Sequence, residues 1–234
     1  MSDKIIVAID GPSGSGKSTL SKMLARRLDF INIDTGAMYR TVALAAARAG
    51  IDPEDHAALE QLCANLPISF KRVGVKEQVW LGDEDVSDAI RTPEMSLLSS
   101  AVSASPVVRK AMLALQRHMG GNRCGSGVVL EGRDIGTEVF PNAQVKFYLC
   151  ANDAERGRRR YAQLRQNGQD VSLEQTVAEV IERDHADKNR KHAPLKQAQD
   201  AIVIDSTALD TNAVLEQMLH YVHLAQGKKA KGEG

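Results

Sequence analysis

Gly11-Pro12-Ser13-Gly14-Ser15-Gly16-Lys17-Ser18 fits the pattern G-x-x-x-x-G-K-[ST], after a short β-branched run over 4–10 and at the head of a helical pattern over 17–28. Strand, glycine loop and helix in that order begin a βαβ unit, so the sheet is expected to be parallel and covered by helices. Glycines let the backbone bend around phosphates with successive N–H groups pointing inward, and the helix N-terminus adds a partial positive charge. The residues expected to cradle a nucleoside triphosphate are Gly11, Pro12, Ser13, Gly14, Ser15, Gly16, Lys17, Ser18 and Thr19. Lys17 reaches the β- and γ-phosphates, and Ser18 can ligate Mg²⁺.

Further buried-strand candidates lie at 30–33, 128–130, 145–149 and 202–204, which with the first run make a five-stranded open sheet. Pro106, after Ser105, marks one helix start; Ser172 with Gln175 has capping-box spacing and marks another. Between 51 and 104 the texture changes: ISFKRV and EQVWLGDEDV, broken by Gly74 and by Gly82-Asp83, read as a small antiparallel insert. The chain is thus expected to be a single unit over 1–225. It has a core at 1–50 and 105–225, the insert at about 51–104 and a short lid at about 156–172. The stretch 226–234, without an apolar anchor, is expected to be disordered.

The 234 residues carry 30 Lys plus Arg against 30 Asp plus Glu, so no global field draws the chain to nucleic acid or to anionic lipid. Its ligands should be small-molecule nucleotides held by local groups. The N-terminal apolar run, five residues from Ile5, is too short for a signal h-region, and no stretch approaches the ~20 residues of a membrane span. Cys63, Cys124 and Cys150 lack CxxC spacing and fit reduced thiols. A cytoplasmic monomer is the resulting expectation. His220 and His223 lie on a largely apolar helical pattern and read as packing rather than as metal ligands.

A phosphate loop alone does not separate a kinase from a switch. GTP-binding switches carry N-K-x-D and D-x-x-G motifs, and neither stands in this chain. Instead, arginines sit where helices begin or strands end. Arg40, in DTGAMYR, lies about a turn into the helix after the second strand, near the edge where open α/β sheets bind ligands. Arg133 and Asp134 follow the 128–130 strand, with Glu131 at its end as a carboxylate able to orient a Mg²⁺-bound water. Arg183, Asp187 and Arg190 share a face at i, i+4 and i+7 if the helix persists that far. Arg156, Arg159 and Arg160 share a face just before the 167–172 turn, as a closing lid would. In each case a solvated charged face gives the same spacing.

GPSGSGKST, DTGAMYR, LGDEDVSDAIRTPEM, EGRDIGTEVFPNA, ERGRRRYAQL and ERDHADKNR, in this order, resemble bacterial cytidylate kinases over about residues 4–221. The resemblance implies a P-loop kinase fold and ATP-dependent phosphorylation of CMP and dCMP, with Mg²⁺. It implies that Lys17, Arg133, Arg156 and Arg159 serve the transfer. It places the cytosine on Ser100, Arg109 and Asp134, and the monophosphate on Arg40, Arg133 and Arg190. Arg183 and Asp187 face the sugar, and Thr35 and Tyr39 stand in the substrate motif, Thr35 where relatives often have serine. Gly157 and Ala186 depart from the family's ERAxRR and ERDxRD patterns. The attacking oxygen of CMP belongs to a phosphate already largely dianionic at neutral pH, its second pKa being about 6. The enzyme therefore needs cations and alignment rather than a base. The runner-up readings are a kinase for UMP or AMP and, from another class, a nucleotide-binding switch.

Overall fold

A computed structural model describes residues 4–74, 76–122 and 126–231; the side chains of Arg72, Lys76, Asn122 and 228–231 are outside that description, as is Cys124. The chain divides into two compact units, one of Met1–Asn32 with Arg123–Gly234 and the other of Ile33–Asn122.

The first unit carries the parallel sheet. β1 (Ile5–Asp10) leads through the glycine loop into α1 (Lys17–Leu28), and β2 (Ile31–Asp34) follows. Later come β6 (Gly127–Gly132), β7 (Val145–Cys150) and β8 (Ile202–Asp205), giving the order β2-β6-β1-β7-β8 once the strands of the other unit are numbered. β1 is central and pairs in parallel with β6 and with β7, so Asp10 lies opposite Gly132 and Tyr148. The period-2 pleat puts Val7, Ile9, Val145, Phe147 and Leu149 in one cluster. Leu20 and Leu24 of α1 join it, as do Val214, Leu215, Met218 and Val222 of α8 (Thr211–Lys231). All five strand candidates and the 17–28 helix are thus found. Helix α8 runs into the stretch expected to be disordered, because Gln226, Lys228, Lys229 and Ala230 are ordinary helix formers that extend an anchored helix; 232–234 lie outside the described residues.

Helices α6 (Asp153–Gln166) and α7 (Leu173–Asn189) form a hairpin in this unit. Asn152 caps α6 by accepting from Glu155 N at 2.8 Å, and Ser172 caps α7 by accepting from Gln175 N at 3.1 Å, as its spacing foretold.

In the second unit α2 (Thr35–Arg48) and α3 (His56–Ala64) precede an antiparallel sheet of β3 (Ile68–Val73), β4 (Lys76–Leu81) and β5 (Glu84–Asp85). Helices α4 (Pro93–Ala104) and α5 (Pro106–Asn122) complete it, α2 packing on α4 and α3 on α5. The antiparallel reading of 51–104 therefore holds for its middle, while α3 and α4 flank it. Helix α4 is set locally: Thr92 Oγ1 accepts from Met95 N at 3.1 Å and Pro93 takes the first turn.

Candidate active site

In the first unit, the apolar strand β1 delivers a glycine loop whose bends only glycine tolerates. Gly14 has φ +73°, and a Cβ there would meet the Arg156 carbonyl oxygen at 2.6 Å, so the loop lies directly on α6. Lys17, the first residue of α1, is buried, and its Nζ donates to Pro12 O at 2.6 Å and to Ser15 Oγ at 3.3 Å. Burial, and then the Arg133 charge, push its pKa down to about 7 against the pull of Glu131, Asp184 and Asp10. Next to Lys17, Ser18 Oγ donates to Glu131 Oε2 at 2.9 Å, and one turn on Ser21 Oγ donates to Glu131 Oε1 at 3.4 Å. Register explains the pairing: Glu131 lies opposite Ile9, one residue before the end of β1, so β6 presents it beside the start of α1. A hydroxyl and a carboxylate in contact there are hard oxygen donors of the kind Mg²⁺ takes.

After β6 the chain turns through Arg133 and Asp134 into a π-helical turn, Ile135–Val139. Asp10 holds this turn, accepting from Ile135 N at 2.8 Å and Gly136 N at 2.7 Å. Burial outweighs those two bonds and pushes the Asp10 carboxyl up to about 6, with the Asp134 charge adding to the rise and Lys17 opposing it. Arg133 Nε donates to Asp187 Oδ2 at 2.7 Å, and Arg190 lies 3.5 Å from Asp187 and 3.8 Å from Asp134. Burial disfavours the Asp187 charge, but Arg133, Arg183 and Arg190 outweigh it and hold its carboxyl below the usual range. Helix α7 ends at Asn189 and Arg190 is its extended cap, so the expected i, i+4, i+7 face closes at the cap itself. Arg133 and Asp134 thus meet Asp187 and Arg190 in one charged cluster of buried carboxylates and half-buried guanidiniums, which Arg183 supports electrostatically.

Of the two lid arginines assigned to transfer, Arg159 donates to Glu155 Oε1 at 3.0 Å, Ser206 Oγ at 2.9 Å and Ser206 O at 2.7 Å, and is partly exposed. Arg156 is buried, bonded to Ala151 O at 3.0 Å, Ser13 O at 2.8 Å, Asp153 and Asp184.

In the second unit, Asp34 caps α2 through Ala37 N at 2.8 Å and takes Arg40 Nη2 at 3.2 Å with its other oxygen. Arg40 Nε is buried with no hydrogen-bond partner among the described residues, an orphan donor that an anion would satisfy. Arg109 stacks over Tyr39, 5.5 Å from the ring centroid, and donates to Ser103 O at 3.4 Å. Ser100 is half-buried on α4, and Thr35 is buried at the start of α2.

Sequence reasoning missed Asp10 and Asp184. For Asp10 a signal existed: a carboxylate closing an otherwise apolar central strand needs buried donors.

The family model described as cytidylate kinase matches residues 7–224. A cytidylate kinase of Syntrophotalea carbinolica is 60% identical over 222 residues, covering 95% of this chain and 93% of that protein. One of Geobacter sulfurreducens is 58% identical, covering 92% and 91%. The solved structure of an uncharacterized protein from Eubacterium ventriosum gives a TM-score of 0.51 at 11% identity over 94% of this chain and 99% of that one, a likeness of fold alone.

Proposed function

The chain belongs to the cytidylate kinase family, and from that premise we propose that it transfers the γ-phosphoryl group of ATP to CMP and dCMP, giving CDP, dCDP and ADP. The observation that carries the reading is the phosphate loop with Lys17 at its mouth and Ser18 bonded to Glu131 at 2.9 Å, in a chain of that family.

The residues divide the work by charge. Backbone N–H groups of Gly14, Ser15, Gly16, Lys17 and Ser18 take the donor phosphates, with Thr19 beside them in the first turn of α1 and Gly11, Pro12 and Ser13 shaping the loop. Ser18, with Glu131 behind it, would hold Mg²⁺, which when bound neutralises phosphate charge. Lys17 and Arg133 face the charge that spreads over the transferring group, and Arg159 adds a third cation; Arg156 is already committed to the loop it touches. On the acceptor side, Arg40, Arg133 and Arg190 take the monophosphate, and the orphan Nε of Arg40 supports that role. Arg183 and Asp187 take the sugar, and Ser100, Arg109 and Asp134 the cytosine, with Thr35 and Tyr39 completing the contacts. An in-line transfer then needs no side-chain base, because the attacking oxygen is already ionised. We place the enzyme in the cytoplasm as a monomer.

The test is product analysis. Purified protein with MgATP and CMP should form CDP and ADP in equal amounts. ADP without CDP would mean hydrolysis, as from a switch, and would overturn the reading.

A further inference from the structure

Asp184, on α7, is 4% exposed and uses both carboxylate oxygens. Oδ1 accepts from Ser13 N at 2.9 Å, and Oδ2 pairs with Arg156 Nη1. The same Nη1 donates to Ser13 O at 2.8 Å. Both main-chain polar groups of Ser13 are therefore taken, its N–H by α7 and its carbonyl by α6. The backbone of Arg156 also abuts Gly14, where only a glycine fits. Arg156 spends its other donors on Ala151 O and Asp153, so it has little left for a phosphate. The charge of Asp184 further favours the protonated forms of Lys17 and Arg133. A buried ion pair is weak evidence for stability, since both charges are desolvated, but it fixes geometry.

We propose that Asp184 is a positioning residue: its carboxylate, shared between the Ser13 N–H and the Arg156 guanidinium, holds the phosphate loop in its ATP-accepting shape and couples that shape to the α6–α7 hairpin. The proposal rests on the reading that this loop takes ATP. Removing the clamp affects the donor before the acceptor. It also makes Arg156 act through the loop rather than on the transferring group.

Direct MgATP binding, measured without CMP, tests it. In Asp184→Asn the amide oxygen can still accept from Ser13, but the charge opposite Arg156 is gone. Its Kd and KM for ATP should rise about ten- to a hundredfold, the size of a lost charge-assisted hydrogen bond. KM for CMP should stay within about threefold, a split that general loosening of the fold does not produce. Tryptic cleavage at the exposed Arg165, beside the hairpin turn, should be slowed by ATP in the parent and no longer in the variant. Arg156→Lys keeps a charge but cannot span Ser13, Ala151, Asp153 and Asp184 together, and gives the same readouts if Asp184→Asn does not fold. The double variant should cost no more than the worse single one. ATP affinity within twofold of the parent in either folded variant, or equal losses for ATP and CMP, would overturn the clamp. A parent that binds no ATP would instead overturn the reading beneath it.

Discussion

Ser18 Oγ donates to Glu131 Oε2 across 2.9 Å, joining the head of α1 to the end of β6. The pair offers Mg²⁺ a hydroxyl backed by a carboxylate. Glu131→Gln keeps the shape and removes the charge, so the Mg²⁺ concentration for half-maximal activity should rise and kcat should fall by about ten- to a hundredfold. A magnesium titration of the variant that overlays the parent's would separate Glu131 from metal binding.

Lys17 gives a prediction with a sign. Its pKa is pushed to about 7 in the free protein, and a bound triphosphate favours the ammonium form. At pH 8 Lys17 is largely neutral, so ATP binding should take up protons; well below pH 7 the ammonium already exists and the uptake vanishes. Calorimetry in two buffers of different ionisation heat reads this uptake, and Lys17→Met should abolish the difference between pH values. Lys17→Ala should lower kcat by roughly 10² or more through loss of a preorganised cation. Steady-state turnover of the folded variant checks it.

Asp134 and Arg133 are neighbours with different expected phenotypes. Cytosine offers an exocyclic amino donor where uracil offers a carbonyl, so a carboxylate prefers the first. Asp134→Asn can donate to a carbonyl; it should lower kcat/KM for CMP by about ten- to a hundredfold and narrow the CMP to UMP ratio. Arg133→Gln should weaken every monophosphate alike, because the phosphate is common to all. Measuring both substrates on both variants decides, and an unchanged ratio in Asp134→Asn removes Asp134 from base reading.

Gly157 stands where the resemblance led us to expect the alanine of ERAxRR, and the structure supplies a reason for glycine. A Cβ there would overlap Val177 Cγ2 and stand 3.0 Å from Val177 Cα, so α6 and α7 approach too closely for a methyl. Gly157→Ala should gain helix propensity of at most about 1 kcal/mol yet lose more to overpacking, about 1–3 kcal/mol. Val177→Ala should partly rescue it. A thermal-unfolding double-mutant cycle tests this, and additive single effects would contradict the contact.

The sheet was legible because β-branched runs of four to six residues end in glycine or aspartate, and because one loop pattern fixes strand, turn and helix together. Helix α4 was not, because PEMSLLSSAVSA mixes serines through its apolar positions and only its Thr92-Pro93 start is marked. Ser18 and Glu131 could be given roles by residue type, since phosphate chemistry asks for both. Asp10 signalled only a need for buried donors and Asp184 nothing: the backbone N–H groups they take lie 125, 126 and 171 residues away, and no side-chain pattern records a main-chain donor. Arg156 shows the converse limit, for spacing placed it on a basic face with Arg159 and Arg160 without revealing that Arg156 alone of the three is buried.

Acceptor choice decides whether this chain is a cytidylate kinase in action as well as in family, and it is read from kcat/KM for CMP, dCMP, UMP, AMP and GMP under saturating MgATP, followed by ADP release. CMP and dCMP should be the two best substrates, with UMP, AMP and GMP at least about tenfold poorer. UMP, AMP or GMP turned over as well as CMP would contradict it.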